Sequence, residues 1–418
     1  MCLTKADEVS LDNVHDVCKV NAVKRMIDRG GGNINCQDCG QNTPLHLVIQ
    51  HCGDKLRLVT KLLSMGAQPN VYNGNKNTPL HLAIIYNNDE RVVQMLIQHG
   101  ADVHLQDVFN NTPVHLAVRL GKLKMLRLLI KAGAELDSRN LLLETPLMAA
   151  VRHSNVTAVK QLLSFGASAS VVGLNKYIAL HFAARKSHPN LQIICDLMKY
   201  DSDANWSDER FQTPIMYALE KYYDIPSDDL ASTKLLIKCD VLQRLYNNKK
   251  LYLSVFLETY SVFPELYAYF KQCVAEALRM KNQFIQDNFS FFEFAAKGLN
   301  NKALFQLTTP YKKAIINQVL RIARAFPFYH DVIACRFEKQ DLQRKLMDLI
   351  IYSKTDGEEQ EIALNSDTNF IIASYLSNLD IFNVIMAFSD YQDFPQHSFG
   401  FQNLSLGSSL KRNYDEVS

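Results

Sequence analysis

Cys36-x-x-Cys39, followed by His46, His51 and Cys52, has the residue types and close spacing from which zinc sites are built. A second set recurs along the chain: His46, His81, His115 and His181, each an imidazole that could bind metal or move a proton. What either set can do depends on the elements that hold it, and both sets lie inside a repeat. "NTPLHLVI" at 42 returns as "NTPLHLAI" at 77, "NTPVHLAV" at 111, "ETPLMAAV" at 144, "YIALHFAA" at 177 and "QTPIMYAL" at 212, at spacings of 35, 34, 33, 33 and 35 residues. A second signature follows each of four starts: "LLSMGAQPN" at 62, "LIQHGADVH" at 96, "LIKAGAELD" at 129 and "LLSFGASAS" at 162.

The pattern has a direct physical reading. Thr43, Thr78, Thr112, Thr145 and Thr213 are placed to cap a helix, and the following Pro takes the first helical position, where a missing N–H costs nothing. Gly66, Gly100, Gly133 and Gly166 can adopt the left-handed conformation that ends a second helix. A unit of two short helices and a projecting turn hides its apolar faces only when another unit stacks on it. One His per unit then forms a row in which each imidazole bonds to the next turn. Cys36 and Cys39 fall in a turn and His46 at a helix start, so neither a metal nor a catalytic set is expected.

These lines resemble the ankyrin repeat, whose pattern is a Thr-Pro-Leu-His helix start and a Gly-Ala helix end. The resemblance implies a protein-recognition surface made of projecting turns and first helices. The array is expected over residues 8–240, six to seven repeats including caps. "VHDVCKVNAVKRMIDRGGGNIN" (14–35) reads as the N-terminal cap. In the sixth unit Ile178 and Ala179 replace Thr and Pro, so its first helix lacks a cap and is the place to expect fraying.

Three residues before each helix start the family prefers Gly for a positive φ; here stand Gly40, Asn75, Phe109, Leu142, Asn175 and Arg210. Two readings stay open. Phe109 with Leu141, Leu142 and Leu143 forms an apolar fingertip patch for a target, flanked by Tyr72 and Arg210, or these turns change shape and tuck the side chains against their neighbours.

Composition narrows the function classes. The 418 residues are 47% hydrophobic and 21% charged, enough for a substantial core, and the net charge of +2 supplies no global field for a nucleic-acid backbone. The nine scattered cysteines suit a reducing compartment. No N-terminal apolar segment follows Met1 and no long apolar run occurs, so neither secretion signal nor membrane span is expected. Gly-rich phosphate loops, His-Glu-x-x-His and Gly-x-Ser-x-Gly are absent from the sequence, so a non-enzyme without cofactors is expected.

From about residue 240 the period stops. Longer aromatic-rich segments follow with apolar residues three and four apart: "QRLYNNKKLYLSVFLETY", "ELYAYFKQCVAEALRMKNQF", "PYKKAIINQVLRIARAF" and "EKQDLQRKLMDLIIYS". All four read as amphipathic helices, making the chain all-α. Cys273-x-x-Glu276-x-x-x-Met280-Lys281, then "FPFYHDV" and "LQRKLMDL", resemble the PRANC domain that follows ankyrin repeats in poxvirus proteins and in ankyrin effectors of obligate intracellular bacteria. That domain ends in an F-box-like helix set. Leu364 sits where the family begins with Leu-Pro, Asp367 where it has Glu, and Ile372, Tyr375, Leu376, Ser377, Asn378, Asp380 and Ile381 follow its Ile-x-x-Tyr-Leu-Ser-Asn-x-Asp-Leu line. Asn365 replaces the usual Pro, leaving Ser366 or Asp367 to cap the first helix.

The resemblance implies a Skp-family adaptor and a cullin-RING ubiquitin ligase as partners, docked on Leu364, Asp367, Ile371, Ile372, Tyr375, Leu376, Leu379, Asp380 and Ile381. The alternative is that these apolar helices are core. The expected organisation is an ankyrin solenoid (8–240), a helical PRANC-like domain (241–362), F-box-like helices (363–390) and a loose tail (391–418). The leading function is a monomeric adaptor in the host cytoplasm or nucleus, holding an unknown host target beside the ligase, with no nucleic-acid or membrane partner. A scaffold that only sequesters a host protein is second, and an enzyme in the second half is third.

Overall fold

The computed structural model describes residues 16–29, 32–86, 89–186, 189–200, 202–224, 230–249, 251, 264–286, 289–297, 318–335, 351–355, 358–362 and 381. Two compact units divide the chain, 1–336 and 337–418.

The first unit begins with α1 (Asp16–Arg29) and continues as helix pairs: α2 (Pro44–His51) and α3 (Lys55–Ser64), α4 (Pro79–Ile85) and α5 (Glu90–Gln98), α6 (Pro113–Arg119) and α7 (Leu123–Lys131). Next come α8 (Pro146–Arg152) and α9 (Val156–Ser164), α10 (Ala179–Ala184) and α11 (Leu191–Lys199), and α12 (Pro214–Asp224) and α13 (Ala231–Tyr246). Even-numbered helices stack on one another as an inner layer and odd-numbered helices as an outer layer. The inner helices are buried through nearly their whole length, as in Pro79, Leu80, His81, Leu82, Ala83 and Ile84 of α4. Seven residues cannot bury themselves on all sides, so each inner helix depends on its neighbours.

Local chemistry sets the ends of each pair. In α2, Thr43 holds extended backbone at the cap (φ −79°, ψ 164°) and Pro44 opens the helix. The outer helices close where expected: Gly100 has φ +84° and Ala101 N–H donates to Leu96 O at 2.9 Å, the capping bond that a left-handed residue permits. Gly66, Gly133 and Gly166 repeat this geometry.

The threonine caps use two kinds of contact. Thr78 and Thr145 hydroxyls accept from His81 N–H and Met148 N–H, at 3.4 and 3.3 Å. Thr43, Thr78 and Thr112 hydroxyls meet the Nδ1 atoms of His46, His81 and His115, at 2.7, 2.8 and 2.9 Å. Thr213 Oγ1 is buried without a partner among the described residues; Met216 stands there, as Met148 does in the fifth unit, in the place of the His of the other units. The uncapped sixth unit has a shorter inner helix of six residues, and His181 Nδ1 accepts from Ile178 N–H at 3.2 Å. Tyr177 stacks on His181 and bonds to Tyr217 through paired hydroxyls 2.8 Å apart, supplying contacts that replace the missing cap.

Past the array, α13 is buried on more than one face, since it packs against α11 and α12 and also against the Pro264–Met280, Phe291–Lys297 and His330–Cys335 helices. Two short antiparallel ribbons accompany the helices: β1 (Phe284–Gln286) with β2 (Phe289–Ser290), and β3 (Ile351–Thr355) with β4 (Glu358–Ile362). The helix expected through residue 284 ends at Met280, and the one expected through 353 cannot include Ile351, Tyr352 and Ser353. The pairing runs in register from Ile351↔Ile362 to Thr355↔Glu358, and the β-branched and aromatic Ile351 and Tyr352 suit a strand. Cys195 of α11 is disulfide-bonded, which departs from the expectation of reduced cysteines. Among the described residues no helix is long and apolar enough to cross a membrane.

Candidate functional site

The projecting turns are pinned from inside. Asp107 Oδ1 accepts from the N–H groups of Phe109 and Asn111, both at 2.8 Å. Asn140 does the same for Leu142 and Glu144, and Asp208 for Arg210 and Gln212. Asp38 and Asn73 occupy the same place in the first two turns. This Asp/Asn column carries the repeat period in the sequence and could have been read there. A side chain that satisfies two backbone donors fixes the turn, so the residues beyond it are held outward at little further entropic cost.

In five of the six turns the left-handed residue lies one position later than the sequence comparison placed it; in the other, Asn175 is left-handed as expected (φ +55°), with Lys176 (φ +61°) beside it. Gln41, Lys76, Asn110, Leu143 and Phe211 have φ between +54° and +61°, while Phe109, Leu142 and Arg210 do not have positive φ. The correction moves the strain from Phe109 and Leu142 to Leu143 and Phe211. Both are bulky, where Gly or Asn would be relaxed. Phe211 is 82% exposed, so burial does not compensate for its backbone.

Phe109 (59% exposed) and Leu141 (58%) come together, because Leu141 N–H donates to Phe109 O at 2.9 Å across adjacent turns. Leu142, Leu143 and Val108 are exposed beside them, so the side chains are not tucked away. Leu174, Trp206 and Phe211 continue the exposed apolar line onto the next turns. Sequence reasoning missed these three; the signal was an apolar residue at a turn position. Tyr72 is half-buried on an earlier turn, and Arg210 is exposed next to Phe211. The turns are coupled further by Gly74 N–H to Gly40 O at 2.8 Å and Trp206 Nε1 to Lys176 O at 2.9 Å.

The histidine row is structural. His46 Nδ1 accepts from Thr43 N–H at 3.1 Å, and its Nε2 lies 3.1 Å from Asn77 O of the next turn, fixing a neutral ring with the proton on Nε2. His81, His115 and His181 bridge to Asn111, Glu144 and Gln212 in the same way. Burial pushes His46 down to about 4 and lowers the other three. With both nitrogens engaged, His46 is committed to the joint between units rather than to Cys36 and Cys39. Among the described residues no group of His, Cys, Asp or Glu is arranged to hold a metal.

The family model for ankyrin repeats matches three overlapping copies, at residues 14–107, 48–140 and 86–173. The chain carries ankyrin repeats. Protein glp-1 of Caenorhabditis elegans is 32% identical over 82 residues, 20% of this chain and 6% of that protein. Protein lin-12 of the same organism is 36% identical over 66 residues, 16% of this chain and 4% of that one. The chain thus spans only a small part of the curated relatives it matches. Among solved structures, the ankyrin repeat domain of Bcl-3 is similar at 22% identity and TM-score 0.44, over 51% of this chain and 95% of that one. The human ASB11 ankyrin repeat domain gives 25% and 0.44 over 55% and 97%. An ankyrin repeat domain from Acinetobacter baumannii AYE gives 29% and 0.40 over 43% and 92%.

Of the residues that carried the second resemblance, Cys273, Glu276, Met280 and the 326–332 stretch come together behind the array, while 342–349 lie outside the described residues. Cys273, Glu276 and Met280 are buried on the Pro264–Met280 helix. Tyr329, fully buried, donates its hydroxyl to Cys273 O at 3.0 Å, and Glu276 Oε1 accepts from Phe328 N–H at 3.3 Å. Phe328 packs on Tyr269, and Phe326 stacks on Phe291. Burial raises Cys273 to about 12, so its thiol is inert at neutral pH. Their physical role is to fasten these helices to α13.

Of the expected docking set, Leu364, Asp367, Ile371, Ile372, Tyr375, Leu376, Leu379 and Asp380 lie outside the described residues, as do Asn365 and the tail. Ile381 is described and is fully buried.

Proposed function

We propose that this protein is a non-enzymatic adaptor that holds a target protein on its ankyrin turns and recruits a Skp-family adaptor, and through it a cullin-RING ubiquitin ligase, by its 363–390 segment. Ankyrin repeats are an interaction scaffold, and the observation that carries target binding is the exposure of bulky apolar residues on rigid turns, above all Phe211 and Leu143 in left-handed backbone. Strain that is not repaid by burial within the chain is the kind kept at binding sites. Ligase recruitment is supported by the F-box-like sequence from Leu364 to Ile381. The mechanism is proximity: tethering raises the target's effective concentration at the ligase, and the chain performs no chemistry. A host cytoplasmic or nuclear setting, as a viral or bacterial effector, goes with this reading.

The test is calorimetric titration of a purified Skp-family adaptor with the wild-type chain and with Ile372→Ala plus Leu376→Ala. Loss of two anchors at about 2 kcal/mol each weakens binding about a thousandfold. Failure of a folded wild-type chain to bind eliminates ligase recruitment. The buried Ile381 favours a second reading, a scaffold that sequesters its target with the last helices serving as core; that outcome is the one in which the titration is flat and target binding persists.

A further inference from the structure

The inner helices of three successive units end alike. Arg119 is the last residue of α6, Arg152 the last of α8, and Arg185 caps α10, at intervals of 33 residues. All three are exposed, and their helices are consecutive in the inner stack. Packed helices lie about 10 Å apart, so the three arginines recur along the stack as a ladder with rungs at about that spacing. His153 and Lys186 stand beside it, with Lys186 Nζ donating to Ser154 Oγ at 2.6 Å.

The ladder is only partly neutralised within the chain. Arg152 pairs with the largely buried Glu144 at 2.9 Å, and Arg185 lies 5.8 Å from the centre of the Tyr217 ring. The crowding shows in the imidazole: His153 is held below its ordinary range by burial first, then by Arg152, Lys186 and Arg119. The equivalent position in the third unit is Ile85, exposed with Tyr86 beside it, and in the last unit it is the exposed Glu220. Leu120 is exposed next to Arg119. Read along the stack, the column runs from apolar, through three cations, to an anion.

We propose that this column receives an extended acidic segment of the target protein, in polyproline II conformation, with an acidic side chain at every third residue and an apolar residue over Ile85, Tyr86 and Leu120. The inference rests on the protein-binding reading above and adds the chemistry of the partner. Polyproline II repeats every three residues and rises about 3.1 Å per residue, so successive acidic groups on one face are about 9 Å apart, matching the ladder. A nucleic-acid strand fits less well: its charge is continuous, whereas this column changes to apolar at one end and to Glu220 at the other, in a chain of net charge +2.

The test uses the full chain and fluorescence anisotropy with three labelled probes. They are a 15-residue peptide carrying Leu near one end and Asp at every third position in a Pro/Ser background, the same composition with the Asp residues adjacent, and oligo-dT. The spaced peptide is expected to bind saturably in low salt, and more tightly than the other two. Exposed ion pairs are weak, so each Arg→Ser change should cost about threefold and R119S/R152S/R185S together about thirtyfold, with helical content by circular dichroism unchanged. The proposal is overturned if the spaced peptide does not saturate, if the triple variant binds it as well as the wild type, or if oligo-dT binds more tightly. The Skp-adaptor titration depends on Ile372 and Leu376, so a failed ladder leaves that result standing and a failed titration leaves the ladder standing.

Discussion

Lys238 Nζ lies 2.7 Å from Asp331 Oδ1, joining residues 93 positions apart in a largely buried pair between α13 and the His330–Cys335 helix. The rings of Tyr269 and Phe328 flank the ammonium at 5.7 and 5.3 Å, and Asp331 also accepts from Val332 N–H. Removing one partner strands the other among apolar rings. Lys238→Met is therefore expected to destabilise the first unit by about 2–4 kcal/mol, and adding Asp331→Leu to return part of that loss. Urea unfolding of the two single variants and the double variant gives the coupling; strictly additive losses would mean that the contact contributes nothing.

The histidine row makes the array acid-sensitive. Folded His46 titrates near 4 against an ordinary 6.5, so the unfolded chain binds the extra proton first. Stability from this group is complete above about 6.5 and is lost as pH falls toward 4, a loss of about 3 kcal/mol. His81, His115 and His181 act in the same direction. Asp240, raised to about 6 by burial against the pull of Arg244, acts oppositely as pH falls from 6, as do the raised Glu144 and Glu276. The check is thus a difference: urea midpoints from pH 7.5 down to 4.5 should fall less steeply for His46→Gln than for the wild type, and parallel curves would contradict the assignment.

Leu143 and Phe211 exchange stability for exposure. Leu143→Asn and Phe211→Gly should each raise stability by about 0.5–1 kcal/mol, because left-handed backbone costs a branched or aromatic residue more than it costs Asn or Gly. The same variants should lose target binding. Thermal melts separate the cases: an unchanged or lower melting temperature would show that the turns are not strained.

Gly173 is the fifth turn's counterpart of the Asp/Asn pins, and a Cβ there would sit 2.9 Å from Leu143 O and 3.1 Å from Met148 Sδ. The neighbouring turn is backbone and cannot swing aside. Gly173→Ala is expected to cost about 1–3 kcal/mol and to raise amide exchange in both turns. Exchange protection equal to wild type would mean that the turns separate at no cost.

The sequence by itself determined the repeat, its period, the Thr-Pro helix starts, the Gly-Ala helix ends and the histidine row, because each rests on contacts within a few residues or on one repeat meeting the next identical one. Pattern and local geometry then say the same thing. Tertiary structure alone decided the rest. Which turn residue takes the positive φ depends on how Asp107, Asn140 and Asp208 pin their loops, and that shifted the strain to Leu143 and Phe211. The arginine ladder exists only because stacking brings residues 33 apart onto one face, and the role of the Cys273 to Asp331 motif only because α13 offers Lys238 across 93 residues. Sequence spacing reports neighbours along a helix or between like repeats; it carries no distance between unlike segments, and those distances set both the joint behind the array and the chemistry of its face.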